Sequence, residues 1–287
     1  MTTWRLLTTT WDLEPSILAG CAALLTAYAL LARPLVMGRA ALYAGGVLVL
    51  LLALISPIDT IGAGYLFSAH MLQHLLLVLV VPPLLLLGIP AAAYARALAW
   101  GPARRAERAL GRPLVAWPLG IATLWVWHYP AVYDAVLTDV RLHILQHLSF
   151  LVTSTIFWWP VLAPVEAARG LGPLGAIVYL LAAVIASSVL GIVITFAPPG
   201  LYPAYLRPID RSGALTLLRD GWGLTPAVDQ QIGGVLMWVV GAPLYLLGVL
   251  VVLARWFGAP DTDDETIGPL THLARQTTAT KVAGRQT

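Results

Sequence analysis

Seven long apolar stretches recur along the 287-residue chain and constrain its fold more than any other feature. A transmembrane helix needs about 20 mostly apolar residues, so each stretch is long enough to cross a bilayer. We predict spans at 16–32, 41–58, 65–88, 114–130, 140–162, 173–197 and 229–257. Only 11% of the residues are charged, which leaves little material for a soluble domain. The sequence therefore predicts an all-α, polytopic transmembrane bundle of seven helices over residues 1–257.

The distribution of basic residues predicts the orientation of this bundle. Seven spans place the termini on opposite sides, with 12 of the 17 Lys and Arg residues on the side of the C-terminus. Because cytoplasmic loops carry the excess of positive charge, we expect the N-terminus outside and the C-terminus in the cytoplasm. The arginines cluster in loops, so the net charge of +3 does not indicate nucleic-acid binding. The arginine-rich stretch 91–112 predicts either an interfacial segment that contacts membrane lipid or a solvated loop.

Two segments outside the spans carry further expectations. Residues 258–287 begin with an acidic run and contain few apolar residues, so we predict a disordered cytoplasmic tail. The loop 198–228 is the longest segment on the outer side, and long loops are often functional. It is expected either to fold over the outer mouth of the bundle or to be a plain connection.

Five of the six histidines fall in three short motifs near the predicted helix ends: His70, His74, His128, His143 and His147. The two HxxxH pairs place two imidazoles on one helix face, which is the spacing of metal ligands. Both paired helices start outside and the fourth span ends there, so all five side chains reach the outer leaflet. The pattern predicts a metal site, whereas the alternative is hydrogen bonding between helices through satisfied imidazoles.

Other donors near this level are less specific. Asp229 opens the seventh span from the same side, either as a ligand or supporting carboxylate or as a helix N-cap. Met71 and Met237 are expected to be packing residues, because the helix turns Met71 about 100° away from His70. Cys21 is the only cysteine, which excludes disulfides and thiolate clusters. Imidazole suits copper, zinc, iron and nickel alike, so ligand type does not choose the metal.

Taken together, the motifs resemble one family of membrane proteins. The set in chain order is Ser68-Ala-His70-Met-Leu-Gln-His74, Pro82-Pro83, Trp125-x-Trp127-His128-x-Pro130-x-x-Tyr133, His143-x-x-x-His147, Phe157-Trp158-Trp159-Pro160 and Asp229-Gln230-x-x-Gly233. Over residues 16–257 the chain is similar to the seven-span CtaG family of caa-type cytochrome c oxidase assembly proteins. A single-span copper chaperone that shares this name uses cysteines, and the chain does not resemble it.

The resemblance implies a role in maturing haem–copper oxidases through formation of the copper B centre, and it implies no catalytic reaction. The family's histidine positions are matched at the five residues above, and its acidic position is matched at Asp229. The implied setting is a bacterial plasma membrane, with copper as the metal and zinc or haem iron left open. Implied partners are the oxidase catalytic subunit and an extracytoplasmic copper carrier. The alternatives are a membrane haem or metal oxidoreductase and, from another class, a metal transporter.

Overall fold

The computed structural model describes residues 1–210 and 212–258, and these residues form helices and turns with no β-strand. The helices are α1 (Thr3–Thr9), α2 (Pro15–Leu31), α3 (Met37–Ile55), α4 (Pro57–Gly64), α5 (Phe67–Gly88), α6 (Ala91–Leu98), α7 (Gly101–Leu110), α8 (Pro113–Trp127), α9 (Pro130–Thr138), α10 (Val140–Leu162), α11 (Pro173–Phe196) and α12 (Pro226–Phe257). The all-α prediction is confirmed for this part of the chain. The predicted disordered tail lies outside the described residues, apart from Gly258.

Judged by length and composition, fewer helices of the structure could cross a membrane than the seven that the sequence predicts. Four helices, α3, α5, α11 and α12, are long and apolar enough, and α7 with α8 makes a fifth if this pair, bent by 78°, is counted as one span. Of the two remaining predicted spans, α2 has only 17 residues. The other, α10, has 23 residues but contains the polar His143–His147 motif, which lowers its hydropathy. The structure thus supports four or five spans on this measure.

Helix α5 lies at the centre of the bundle and is the most buried of the four membrane-length helices. It packs against α3, α4, α10 and α12. A wide π-helical turn, Leu76–Val80, precedes Pro82 and Pro83, and a second one, Leu236–Val240, precedes Pro243 in α12. Because proline cannot donate a backbone hydrogen bond, such turns let a helix continue instead of ending. Because α5 packs against four other helices, its first residues, which carry His70 and His74, are held by neighbours on several sides.

The basic stretch 91–112 folds into the short helices α6 and α7. Arg104, Arg105 and Arg108 are exposed on α7, as is Trp100 just before it. A short helix with exposed arginines next to an exposed tryptophan is typical of a membrane–water interface. The geometry agrees with the first of the two expectations for this stretch, and lipid contact stays a prediction.

Gly62 in α4 allows α4 to touch the backbone of α5 beside His70. A Cβ atom at position 62 would lie 2.9 Å from both Cα and N of His70, and backbone atoms cannot turn aside as a side chain does. We expect Gly62→Ala to lower the free energy of unfolding by about 1–3 kcal/mol, the usual range for overpacking. Unfolding of the purified protein by titration with denaturing detergent measures this loss.

Gly64→Ala is the matched control, because a Cβ there meets nothing within 4 Å and belongs to the same helix. That variant is expected to be neutral or slightly more stable, since alanine reduces the entropy of the unfolded chain. Equal stabilities of the two variants would contradict a tight contact between α4 and α5.

Candidate metal centre

The two HxxxH pairs face each other across the contact between α5 and α10. Within each pair the ring centroids are 4.3 Å apart, as expected for residues one helical turn apart. Between the helices, the ring centroids of His70 and His143 are 5.2 Å apart, and those of His74 and His147 are 5.7 Å apart. The structure thus brings together four imidazoles, called here the four-histidine cluster: His70, His74, His143 and His147.

The donor atoms of the cluster form two overlapping groups. In the first, one ring nitrogen from each of His70, His74 and His147 lies within 4.8 Å of the others. The second joins Asp59, His143 and His147 at the same spacing. His147 belongs to both groups, and His70 and His74 are buried whereas the second group is partly exposed. Three donors at this spacing can converge on one ion after small side-chain movements.

Five ring nitrogens of the cluster are buried without a hydrogen-bond partner in the described residues. They are Nε2 of His70, both nitrogens of His74, Nε2 of His143 and Nε2 of His147. A buried polar atom without a partner is costly, and such a concentration needs a physical reason. Hydrogen bonding between neighbouring elements accounts for Nδ1 of His70, which contacts two tyrosines, but not for these five nitrogens. Unpaired imidazole nitrogens that converge are what a metal ion requires, so the residues present fit a metal.

Two tyrosines fix the orientation of His70. The hydroxyl of Tyr205 donates to the carbonyl oxygen of Gly62 at 2.8 Å, so its only proton is used there. Its 3.0 Å contact with Nδ1 of His70 is a hydrogen bond in the tautomer that carries a proton on that nitrogen. The Tyr133 hydroxyl lies 2.9 Å from the same nitrogen and 3.2 Å from the Tyr205 hydroxyl. A proton on Nδ1 leaves Nε2 of His70 with its lone pair directed into the cluster, as a ligand requires.

Tyr205 comes from the loop 198–228, which thus contributes directly to the site. Tyr202 and Tyr205 are both buried, and the Tyr202 hydroxyl donates to the backbone oxygen of His128 at 2.9 Å. The side-chain oxygen of Gln230 accepts from the backbone N–H groups of Gly200 and Leu201, which anchors the start of this loop. Of the two expectations for the loop, the structure favours folding over the end of the bundle that carries the histidines.

The structure places Asp229 at the first turn of α5 rather than at the imidazoles. Its carboxylate accepts from the backbone N–H groups of Phe67 and Ser68, at 2.7 and 2.9 Å, and from the Ser68 hydroxyl at 2.5 Å. Asp229 belongs to neither donor group, and Thr225, not Asp229, caps the start of α12. Asp229 thus caps a different helix, because the first N–H groups of a helix have no partner of their own. It supports the site by fixing the segment that carries His70.

His128 lies beside the four-histidine cluster but outside both donor groups. Its ring centroid is 5.6 Å from that of His74, and its Nδ1 lies 2.7 Å from the backbone oxygen of Leu124. Its Nε2 lies 3.3 Å from Sδ of Met71. Met71, expected to be a packing residue, is fully buried and touches this histidine. Met71 turns away from His70, as helical geometry predicts, and the end of α8 approaches from that side.

Asp59 is a donor that the sequence analysis missed. Its carboxyl accepts from the side-chain amide of Gln73 at 2.6 Å, and burial raises its pKa to about 6 against the opposing effect of that hydrogen bond. The sequence feature that could have identified Asp59 is its position, one residue beyond the predicted end of the second span and at the level of the histidines. Tyr205 had no such signal, because nothing in the loop sequence indicates which of its residues turns inward.

Comparison with known proteins gives one family and several distant relatives. The family described as "Cytochrome c oxidase caa3 assembly factor (Caa3_CtaG)" has a sequence model that matches residues 22–259. An uncharacterized protein of Mycobacterium leprae is 22% identical over an alignment of 234 residues that covers 76% of this chain and 34% of that protein. An uncharacterized protein of Mycobacterium bovis is 22% identical over an alignment of 205 residues that covers 66% of this chain and 30% of that protein. The chain thus spans about a third of the length of these curated relatives. No solved structure matches it significantly.

Proposed function

Because the chain belongs to the family of cytochrome c oxidase caa3 assembly factors, we propose that it assists assembly of a haem–copper oxidase by holding copper in the four-histidine cluster. The copper is cargo, destined for the copper B centre of the oxidase catalytic subunit. In this role the protein binds and delivers an ion and performs no catalytic reaction.

The observation that carries the proposal is the set of five buried imidazole nitrogens without hydrogen-bond partners. His70, His74 and His147 would hold the ion, with the hydroxyls of Tyr133 and Tyr205 orienting His70. Imidazole nitrogen suits copper, and neutral rings need not lose a proton to bind it. The family description supports copper over zinc, because a haem–copper oxidase contains copper, and the absorbance spectrum proposed below separates copper from haem iron.

The second donor group supplies an entry side for the ion. Asp59 and His143 lie at the partly exposed end, and His147 connects them with the buried pair His70 and His74. A carboxylate beside imidazoles attracts a cation that still keeps part of its hydration shell. We infer that an extracytoplasmic carrier presents copper at this end, and that the oxidase subunit docks beside the same opening.

This function requires a particular membrane arrangement, which we propose from the charge distribution. The proposed arrangement has seven spans in a bacterial plasma membrane, formed by α2, α3, α5, α8, α10, α11 and α12. The 17 residues of α2 are at the lower end of the spanning range, and α10 crosses with its polar face toward α5. The excess of basic residues on the other side places the N-terminus and the cluster toward the outer face. The mycobacterial relatives support a bacterial setting.

His147→Ala tests the proposal most directly, because His147 belongs to both donor groups. Replacing a residue that merely supports a metal ligand lowers metal affinity about 10- to 100-fold. Removing this ligand itself is therefore expected to lower copper affinity about 100-fold or more. Copper bound to the protein purified in mild detergent, measured by metal analysis and by competition with a chromophoric chelator, gives the affinity. The absorbance spectrum of the same sample shows whether haem is present.

His272→Ala is the control, since His272 is the one histidine outside the described residues and carries no predicted role. It should bind copper as the wild type does. Full copper affinity in His147→Ala would contradict the proposal. A haem absorption band in the wild-type protein would instead favour the oxidoreductase alternative.

A further inference from the structure

Met71 and His128 form a contact that the four-histidine cluster does not explain. Sδ of Met71 lies 3.3 Å from Nε2 of His128, and both side chains are buried, with exposed fractions of 0% and 3%. The two residues come from different helices, Met71 from the first turns of α5 and His128 from the residue after α8. Neither residue belongs to the donor groups described above.

The hydrogen bond made by Nδ1 of His128 decides whether its Nε2 presents a proton or a lone pair to the Met71 sulfur. Nδ1 of His128 lies 2.7 Å from the backbone oxygen of Leu124, and a carbonyl oxygen can only accept. Nδ1 must therefore carry the proton, so in the neutral ring Nε2 presents a lone pair. The Met71 thioether has no proton to donate either. The contact thus joins two lone-pair donors with no hydrogen between them.

A second proton on His128 would make the contact a hydrogen bond, but it would place a positive charge in a buried site. The rings around His128 belong to His74, Tyr133 and Phe150, and none of these carries a negative charge. Burying a charge without a counter-ion is strongly unfavourable. A bound cation that interacts with both lone pairs would make this van der Waals contact strongly favourable.

The geometry suits one ion bound by both atoms. With metal–nitrogen and metal–sulfur distances of about 2.0 and 2.3 Å, as in zinc sites, a separation of 3.3 Å corresponds to an angle of about 100° at the metal. The pair lines a cavity of about 30 Å³ together with His74 and Met237, which is room for a single small ion. Both nitrogens of His74 lack partners, which makes this ring available as a third donor.

We propose that Met71 and His128, with His74, form a second metal position that selects a monovalent, thiophilic ion, namely Cu(I). A thioether is a soft ligand that favours Cu(I), whereas zinc sites use imidazole, thiolate and carboxylate. His74 lies between this position and the cluster, with its ring centroid 4.3 Å from that of His70 and 5.6 Å from that of His128. An ion could therefore move between the two positions by exchanging one ligand at a time. The inference rests on the proposed function and adds selectivity for the oxidation state.

X-ray absorption of the full-length protein in detergent, loaded anaerobically with Cu(I), tests the proposal, first on the wild type and then on Met71→Leu. The chain contains only one cysteine and four methionines, so a sulfur neighbour of copper is readily assigned. We expect a copper–sulfur distance in the wild type that disappears in Met71→Leu, together with a fall in Cu(I) affinity of about tenfold or more, the lower limit for residues that support metal sites. Zinc affinity should stay unchanged in this variant.

Met37→Leu is the matched control, because Met37 is 78% exposed and distant in sequence from the site. It should keep both the sulfur signal and the Cu(I) affinity. The proposal is overturned if wild-type copper has no sulfur neighbour, or if Met71→Leu retains one. In either case, copper bound by imidazoles alone and lost in His147→Ala would leave the proposed function standing.

Discussion

Deletion of the gene from a bacterium that expresses this protein is expected to leave the oxidase polypeptide and its haem largely present, while active-site copper and oxygen reduction fall to a small fraction of normal. The reason lies in the position of the donors. The four-histidine cluster is at one end of the bundle, and in the proposed function it exchanges copper with a carrier or a docked subunit on that side. The measurement is the copper-to-haem ratio of the oxidase purified from the deletion strain.

Complementation separates copper delivery from a general effect of losing a membrane protein. A plasmid copy of the wild type or of Met37→Leu should restore the ratio, whereas the double variant His70→Ala/His147→Ala should not. Total cytoplasmic copper should hardly change. A normal ratio with normal turnover in the deletion strain would rule out the assembly role for that oxidase, and a cytoplasmic copper defect would point to the transporter alternative.

The second large effect is expected from Asp229→Ala, and it is an effect on stability. Asp229 is 2% exposed and accepts three hydrogen bonds at the start of α5. Alanine would leave two buried N–H groups and one hydroxyl without a partner, and each costs about 1–3 kcal/mol. We therefore expect the free energy of unfolding to fall by about 3 kcal/mol or more. Titration with denaturing detergent in a mild-detergent background measures this change.

Asp139→Ala is the matched control for a helix cap that is exposed. Asp139 accepts from the N–H group of Arg141 at the start of α10, on the surface and within its own helix. Loss of such a cap typically costs about 1 kcal/mol. Comparable losses in the two variants would show that the contact between Asp229 and α5 contributes little more than an ordinary cap. Metal binding by the Asp229 variant at low temperature then reports whether His70 is still held in place.

The sequence was most informative where structure is local. Helical periodicity alone puts His70 and His74 on one face, and likewise His143 and His147, because residues four apart are neighbours in any α-helix. The apolar stretches identified the long helices, since backbone groups in lipid must be satisfied within the helix. Span counting was less secure, because α10 combines membrane length with the polar residues of the site.

The donors supplied by tertiary contacts were harder to predict. Helical geometry gives the direction of a side chain, and it does not tell which neighbouring element that side chain will meet. Asp229 was expected among the imidazoles or at the start of its own helix, yet it caps α5 because α12 packs beside that turn. Tyr205 reaches His70 through the path of a loop that carries no periodic signal.

The sequence by itself determined the long helices, the spacing of the two imidazoles within each pair and the charge asymmetry of the loops, because each depends on residues close together in the chain. Only the tertiary structure decided that α5 and α10 present their pairs to each other, that Asp59 joins one donor group, and that Met71 faces His128. The physical reason is that these contacts depend on how separate helices pack. An apolar helix face can pack against several neighbours with similar energies, so its packing partner is decided by the interactions of the whole bundle.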